Sequence, residues 1–379
     1  MKDPIYELKL ESRTDRGKEI YEFKSSDGVP SKDNFRDSEL ALADTVNPAL
    51  EDDILVIQSG YGFLPVILAD QTPKGKTIAG ETSDRAYQLT KLNLENNEVE
   101  NCTPQKVAFY TEIDKSFDKI VYAPRGYEPV DVVKNRLSNA VKLLENGGEM
   151  LIAGKKTSGI NRYQSHLKSF AGGTEKLDQQ GKQKVYRYTK KGEFEPENID
   201  VETSFKAKVD EIELGFTACE GLFSPKSLDD GSRLLIENIQ VEEEDEVLDL
   251  ACGYGIVGIF LQKLHGSKIF MTDDNRIATH FSRKNAEETN VECKVKNRDC
   301  LDGFPNKKFD AIVSNPPTHQ GEEITDEMFE QSYKALRNGG SLYLVYNQNM
   351  RFEEKLSKMF SETETLEKAD NYLVLKAIK

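Results

Sequence analysis

The chain carries the same pattern twice, and this limits its fold more than any composition does. The segment VLDLACGYGIVGIFL, from Val247, and the segment ILVIQSGYGFLPVIL, from Ile54, share a strand-like run, a G-Y-G turn and an apolar helix start, at an offset of about 193. Further on, FDAIVSNPP answers FDKIVYAPR and RNGGSLYLV answers ENGGEMLIA, at an offset of about 192. Three ordered matches at nearly constant spacing mark an internal duplication. With 379 residues there is room for two domains of ordinary size, each burying its own core.

Each copy alternates strand and helix. In the second, the pattern predicts strand 247–250, a helix from Gly255, strand 268–272, helix 278–289, strand 293–297, strand 310–314, a helix around 326–336, and strands 341–346 and 372–378. The last two are expected to close one edge. Such alternation implies a mainly parallel sheet with helices on both faces. The expected fold class is therefore α/β: two tandem Rossmann-like domains, 1–190 and 219–379, joined by a linker over 191–218.

Composition enters mainly to exclude. At 37% hydrophobic and 31% charged residues the chain reads as a soluble globular protein. The longest apolar run, 54–69, is broken by Gln58, Ser59 and two glycines and is too short to span a bilayer. The first ten residues, MKDPIYELKL, lack the apolar core of a signal peptide, so a cytoplasmic location and no membrane partner are expected. Five cysteines without paired spacing and four scattered histidines point to reduced thiols and no metal site. A net charge of −15 argues against general coating of nucleic acid, so any such partner needs a local basic patch. The stretch 155–191, read as lying between the two halves, is one: ten basic residues against two acidic, with Tyr163, Tyr186 and Tyr188 among them. Most such runs are plain solvated surface, and here the alternative is phosphate contact, with Lys155 and Lys156 as candidates.

The chemistry-bearing residues gather where strands end. Asp249, Gly253 and Gly255 sit on a strand-to-helix turn, where glycines admit a ligand to the backbone and a helix start offers free N–H groups. Alone, a glycine turn is a weak signal. Asp273, about twenty residues on, is placed to bind a ribose diol. Asp299 follows the third strand and suits an adenine amino group. Singly, each aspartate is more often a helix cap or a turn residue. The fourth strand ends in Asn315, Pro316 and Pro317; proline stops the ladder, and two together stiffen a loop that aims the asparagine beyond the strand end.

This order, D-x-x-C-G-x-G, an acid after strand two, Asp after strand three and N-P-P after strand four, resembles the S-adenosylmethionine-dependent amino-methyltransferases. More narrowly, 219–379 resembles the small-subunit ribosomal RNA guanine-N2 methyltransferases, through EGLFSPKSLDDGSRLL (Glu220 to Leu235), VLDLACGYG and IVSNPPTH. That family pairs a degenerate amino-terminal methyltransferase domain with an active carboxyl-terminal one. The resemblance implies S-adenosylmethionine held by Asp249, Gly253, Gly255, Asp273, Asp299 and Asn315. It implies methylation of a guanine amine in RNA, with small-subunit ribosomal RNA or the assembling subunit as partner. Asn315 and Pro316 become the catalytic pair, their oxygens accepting the N–H bonds of the amine. Pro317, His319 and Phe223 become substrate contacts, although a core role for Phe223 has equal standing.

Two departures stand out. Ala251 occupies a place where many relatives have glycine, and Thr318 one where an aromatic commonly stacks on the base; His319 is the alternative stacking face. In the first copy Val56 stands for Asp249, Pro65 for Gly258, and Ala123, Pro124 and Arg125 for Asn315, Pro316 and Pro317, while Gly60, Gly62 and Glu81 persist. That copy is expected to be non-catalytic, a structural or RNA-binding domain. The other readings are a methyltransferase for adenine N6 or a protein glutamine, and a non-catalytic RNA-binding or ribosome-assembly factor.

Overall fold

A computed structural model describes residues 6–12, 16–317 and 321–379. The chain divides into two compact units, Asp3–Val201 and Glu202–Lys379. The first opens with a hairpin, β1 (Tyr6–Glu11) and β2 (Ile20–Ser25), then α1 (Asp37–Thr45), β3 (Ile54–Ile57), α2 (Phe63–Gln71), β4 (Thr77–Glu81), α3 (Asp84–Asn96) and β5 (Cys102–Lys106). It continues with β6 (Phe117–Tyr122), α4 (Val130–Lys142), β7 (Leu144–Lys155), α5 (Ile160–Lys168), β8 (Gly172–Gln180) and β9 (Gln183–Lys190). The second repeats the plan. Its hairpin is β10 (Glu202–Val209) and β11 (Ile212–Cys219), followed by α6 (Asp230–Asn238), β12 (Glu246–Leu250), α7 (Ile256–His265), β13 (Lys268–Asp273), α8 (Arg276–Glu288) and β14 (Cys293–Asn297). Then come β15 (Phe309–Ser314), α9 (Glu322–Ala335), β16 (Leu336–Asn347), α10 (Phe352–Leu356), β17 (Glu362–Ala369) and β18 (Tyr372–Ile378).

The two large sheets run β5-β4-β3-β6-β7-β9-β8 and β14-β13-β12-β15-β16-β18-β17. Six strands of each run in one direction, and the seventh, β9 or β18, lies antiparallel between its two neighbours. The expected pair of Rossmann-like units is present, one topology used twice. Strand order reverses at β12 and β15, so the crevice beyond their carboxyl ends is the natural ligand site. Both strands are almost wholly buried, as a central strand covered on two faces must be. On one face Leu248, Leu250, Ile312, Leu342 and Leu344 share a core with Ile324, Met328 and Phe329 of α9.

Three expectations need correcting. The segment 191–218 is not a linker throughout: from Glu202 it forms the β10–β11 hairpin, which belongs to the second unit and lies on α8. The large sheet of the second unit has one more strand than the pattern predicts, and its edge is β17 rather than β18. Its sequence, ETETLEKA, carries no apolar alternation because it is an exposed edge strand, held by backbone pairing to β18. The basic stretch 155–191 does not lie between the domains either. It supplies α5, β8 and β9 of the first unit, with Tyr163 and Tyr188 in its core.

Candidate active site

The glycine turn after β12 is built by close approach. Gly255 (φ +87°) caps α7 in a left-handed conformation, and a Cβ there would meet Met271 Sδ at 3.1 Å and Ser282 Cα at 3.2 Å. Gly253 (φ +56°) faces open space instead: a Cβ added there has nothing within 4 Å. Its N–H donates to Asp273 Oδ2 (2.9 Å), and its carbonyl accepts from the Ser282 hydroxyl (2.7 Å). Ala251 takes a left-handed φ of +60°, as does Gln58 at the matching place in the first unit (+55°), so both copies carry a strain of about 1 kcal/mol that glycine would relieve.

Two carboxyls line the turn. Asp249, 2% exposed, accepts the Gly258 N–H at 2.9 Å. A Cβ on Gly258 would meet Ile269 Cγ2 and Met271 Cε at 3.0 Å and that same oxygen at 3.2 Å, so glycine suits the place. Burial pushes the Asp249 carboxyl up to about 7, against the Gly258 bond and with help from the Asp273 charge. Asp273 keeps part of its surface open to solvent while protein atoms crowd it; that burial pushes it up to about 6, against backbone N–H bonds from Asn275 and Gly253. Buried acids with mainly backbone partners suit a ligand that brings positive charge and hydroxyls. Asp299 is buried in the turn after β14.

Asn315 leaves the end of β15, the neighbour of β12, and the Ser314 hydroxyl donates to Leu250 O (2.6 Å) to tie the two strand ends together. The Asn315 amide donates to Asp229 Oδ2 (3.3 Å) and Ser232 Oγ (3.0 Å), the cap and the first turn of α6. Pro316 is buried and Pro317 half-buried; Thr318 and His319 lie outside the described residues. Phe223 is 64% exposed, so the core reading of it fails. Its segment is tied to the glycine turn by the Tyr254 hydroxyl, which donates to Ser224 O (3.1 Å). Thus Asp249, Gly253, Gly255, Asp273 and Asn315 stand on adjacent strand ends. The sequence reading missed Asp229, Ser232 and Tyr372, although the first two fall inside the quoted Glu220 to Leu235 stretch and show the Asp-x-x-Ser spacing of a helix cap.

The first unit keeps the frame with different side chains. Gly60 N–H still donates to the second-strand acid, Glu81 Oε2 (2.9 Å). The Asp249–Gly258 bond is gone from both ends, because Val56 offers no acceptor and Pro65 no donor; proline is tolerated in the first turn of α2. Arg125 reaches the same Glu81 oxygen (3.3 Å), with Glu81 wholly buried. Glu128 follows, accepting from Arg136 (2.8 Å) and Gln58 (2.8 Å). Burial pushes Glu128 up, but Arg136 and Arg125 outweigh it and hold its carboxyl down at about 2. The second-strand acid that has backbone partners in one unit is thus paired with an arginine in the other.

Of the predicted phosphate contacts, Lys155 is partly exposed and pairs with Asp37 (3.2 Å), and Lys156 is exposed. Lys190 is not available: it is 4% exposed and donates to Leu144 O (2.7 Å). Arg162 and Lys168 on α5 are further exposed cations of the same stretch. Among the described residues no cluster of side chains fits a metal ion, and no helix is long and apolar enough to cross a membrane.

A ribosomal RNA small subunit methyltransferase C from Pseudoalteromonas atlantica is 29% identical over 71% of this chain and 79% of its own length. A solved T. Thermophilus 16S rRNA N2 methyltransferase, in complex with AdoMet and guanosine, superposes with a TM-score of 0.82 over 98% of both chains at 24% identity, which establishes the shared fold. The methyltransferase small domain matches residues 20–187 and again 213–376. The chain therefore belongs to the methyltransferase small domain family, with the domain present in two copies.

Proposed function

We propose that this protein methylates the exocyclic N2 amine of a guanine in small-subunit ribosomal RNA, using S-adenosylmethionine, in the cytoplasm. The second unit does the chemistry and the first holds RNA. The observation that carries this reading is Asn315 at the switch-point crevice: both its amide protons are engaged from behind, leaving Oδ1 without a partner among the described residues. The names of the two relatives above support the substrate.

The residues fit the cofactor. Asp273 suits the ribose diol and Asp299 the adenine; Asp249 supplies a buried carboxylate for the amino-acid end, and Gly253 leaves room for a ligand against the backbone. When bound, S-adenosylmethionine supplies an electrophilic methyl group. The protein's task is to sharpen a poor nucleophile, because the amine lone pair is delocalised into the base. Asn315 Oδ1 and the Pro316 carbonyl accept its two N–H bonds and draw the nitrogen towards tetrahedral geometry. The N-methylated amine then sheds a proton to solvent, and no strong side-chain base is required. A base inside a helix cannot present this amine, so the nucleotide must be exposed or extruded; Phe223, exposed on the segment tied to the glycine turn, and His319 are its proposed stacking faces.

The test is a map of modified nucleotides in ribosomal RNA from cells with and without the protein. Loss of one N2-methylguanine in the small subunit is expected. Loss of a methylated adenine or of a methylated protein glutamine instead, with guanine methylation intact, would refute the substrate.

A further inference from the structure

We propose that Asp229 is a positioning residue for the reaction: with Ser232 it fixes which end of the Asn315 amide faces the amine. This rests on the functional reading above, which gives Asn315 its role and assigns none to α6.

An asparagine side chain is nearly symmetric in shape, and only its partners decide which end points where. Here the partner is a carboxylate oxygen. A carboxylate only accepts, so the NH2 group must face Asp229 Oδ2, at 3.3 Å, with its second proton on Ser232 Oγ at 3.0 Å. Turned over, Asn315 Oδ1 would oppose the carboxylate oxygen, acceptor against acceptor. Asp229 is itself fixed: the same Oδ2 caps α6 by accepting the Ser232 N–H (3.0 Å), and Tyr372 on β18 reaches Oδ1 at 3.5 Å. The orientation that the reaction needs, oxygen outward, is therefore set by the start of a helix.

The duplicate serves as a built-in comparison. At the matching cap of α1 stands Arg36, which makes no side-chain cap. Glu39 stands in the place of Ser232, and Ala123 in that of Asn315. Arg36 now donates to the carbonyls of Ala123 (3.2 Å) and Pro124 (3.3 Å). The helix survives there without a capping acid, so the fold does not demand Asp229. The asparagine and both residues that hold it are absent together.

Asp229→Ser separates the two roles, since serine caps as well as aspartate but is too short to reach Asn315. Thermal stability and S-adenosylmethionine affinity should stay within about threefold of the parent, while kcat for methyl transfer to small-subunit ribosomal RNA falls about 10- to 100-fold, the scale of a misplaced reacting group. Asp229→Asn, which keeps an acceptor oxygen at the same reach, should recover most of that loss. Added to Asn315→Ala, the Asp229→Ser change should cost nothing further. Independently of turnover, the Asn315 side-chain NH2 resonances, identified by their loss in Asn315→Ala, should exchange slowly with water in the parent and fast in Asp229→Ser. If Asp229→Ser does not fold, Ser232→Ala carries the same measurements with the Asp229 cap intact. Parental kcat and unchanged amide exchange overturn the proposal. Parental kcat in Asn315→Ala, with the exchange change present in Asp229→Ser, overturns instead the catalytic reading of Asn315.

Discussion

Asp249 is the residue whose energetics most clearly depend on a ligand. Its carboxyl is raised to about 7 from an ordinary value of 3.8, so the folded protein without ligand binds its proton more tightly than the unfolded chain does. The stability from this shift is complete below about pH 4 and is lost as pH rises through about 7. A cationic ligand reverses the preference by favouring the ionised form. Calorimetry near pH 6.5 in buffers of different ionisation enthalpy should therefore show proton release on cofactor binding, and affinity should rise towards pH 8. Asp249→Asn should abolish the release, weaken binding, and raise the melting temperature of the ligand-free protein at pH 8. Proton uptake on binding would contradict the role given to this carboxyl. The acids and Asn315 were legible from sequence because each terminates a strand in fixed order. Asp229, Arg36 and Arg125 were not, because their partners are 86, 87 and 44 positions away and only the fold brings them together.

At the scale of elements, most strands and helices of the second unit lie within a few residues of where periodicity places them, since buried parallel strands leave continuous apolar runs. What escaped has an identifiable reason. β17 is polar on both sides and exposed, so its pairing leaves no trace in hydrophobicity. The β10–β11 hairpin does carry an apolar alternation, Phe205, Ala207 and Val209 with Ile212, Leu214 and Phe216, which the linker reading passed over; one distant asparagine helps to anchor it. Asn285 of α8, fully buried, accepts from Thr217 N–H (2.8 Å) and donates to the carbonyls of Thr217 (2.9 Å) and Tyr254 (2.8 Å). The first unit repeats the clasp with Asn93, Lys24 and Tyr61. Asn285→Ala strands three buried backbone groups and should cost about 3 kcal/mol, at the scale of an unsatisfied network. Thermal melts measure the cost, and faster exchange of the Thr217 amide should localise it. An unchanged melt would mean that the hairpin is held by its aromatic packing alone.

For the molecule as a whole, duplication followed by divergence accounts for both halves. One copy kept open acids and a held asparagine; the other filled the matching place with Arg125, Glu81, Glu128 and Arg136 and carries exposed cations at Lys156, Arg162 and Lys168. Neutralising those three cations should weaken RNA binding and flatten its salt dependence, by roughly 0.7 to 0.9 of a log–log unit per lost phosphate contact, with cofactor affinity unchanged. An unaltered slope would place RNA elsewhere. The division of labour itself is tested most directly by titrating S-adenosylmethionine into the full chain and into its Asp273→Ala and Glu81→Gln variants. One equivalent should bind per chain, with binding lost in Asp273→Ala and retained in Glu81→Gln. Two equivalents, or binding that survives Asp273→Ala and disappears in Glu81→Gln, would contradict the assignment of chemistry to the second unit.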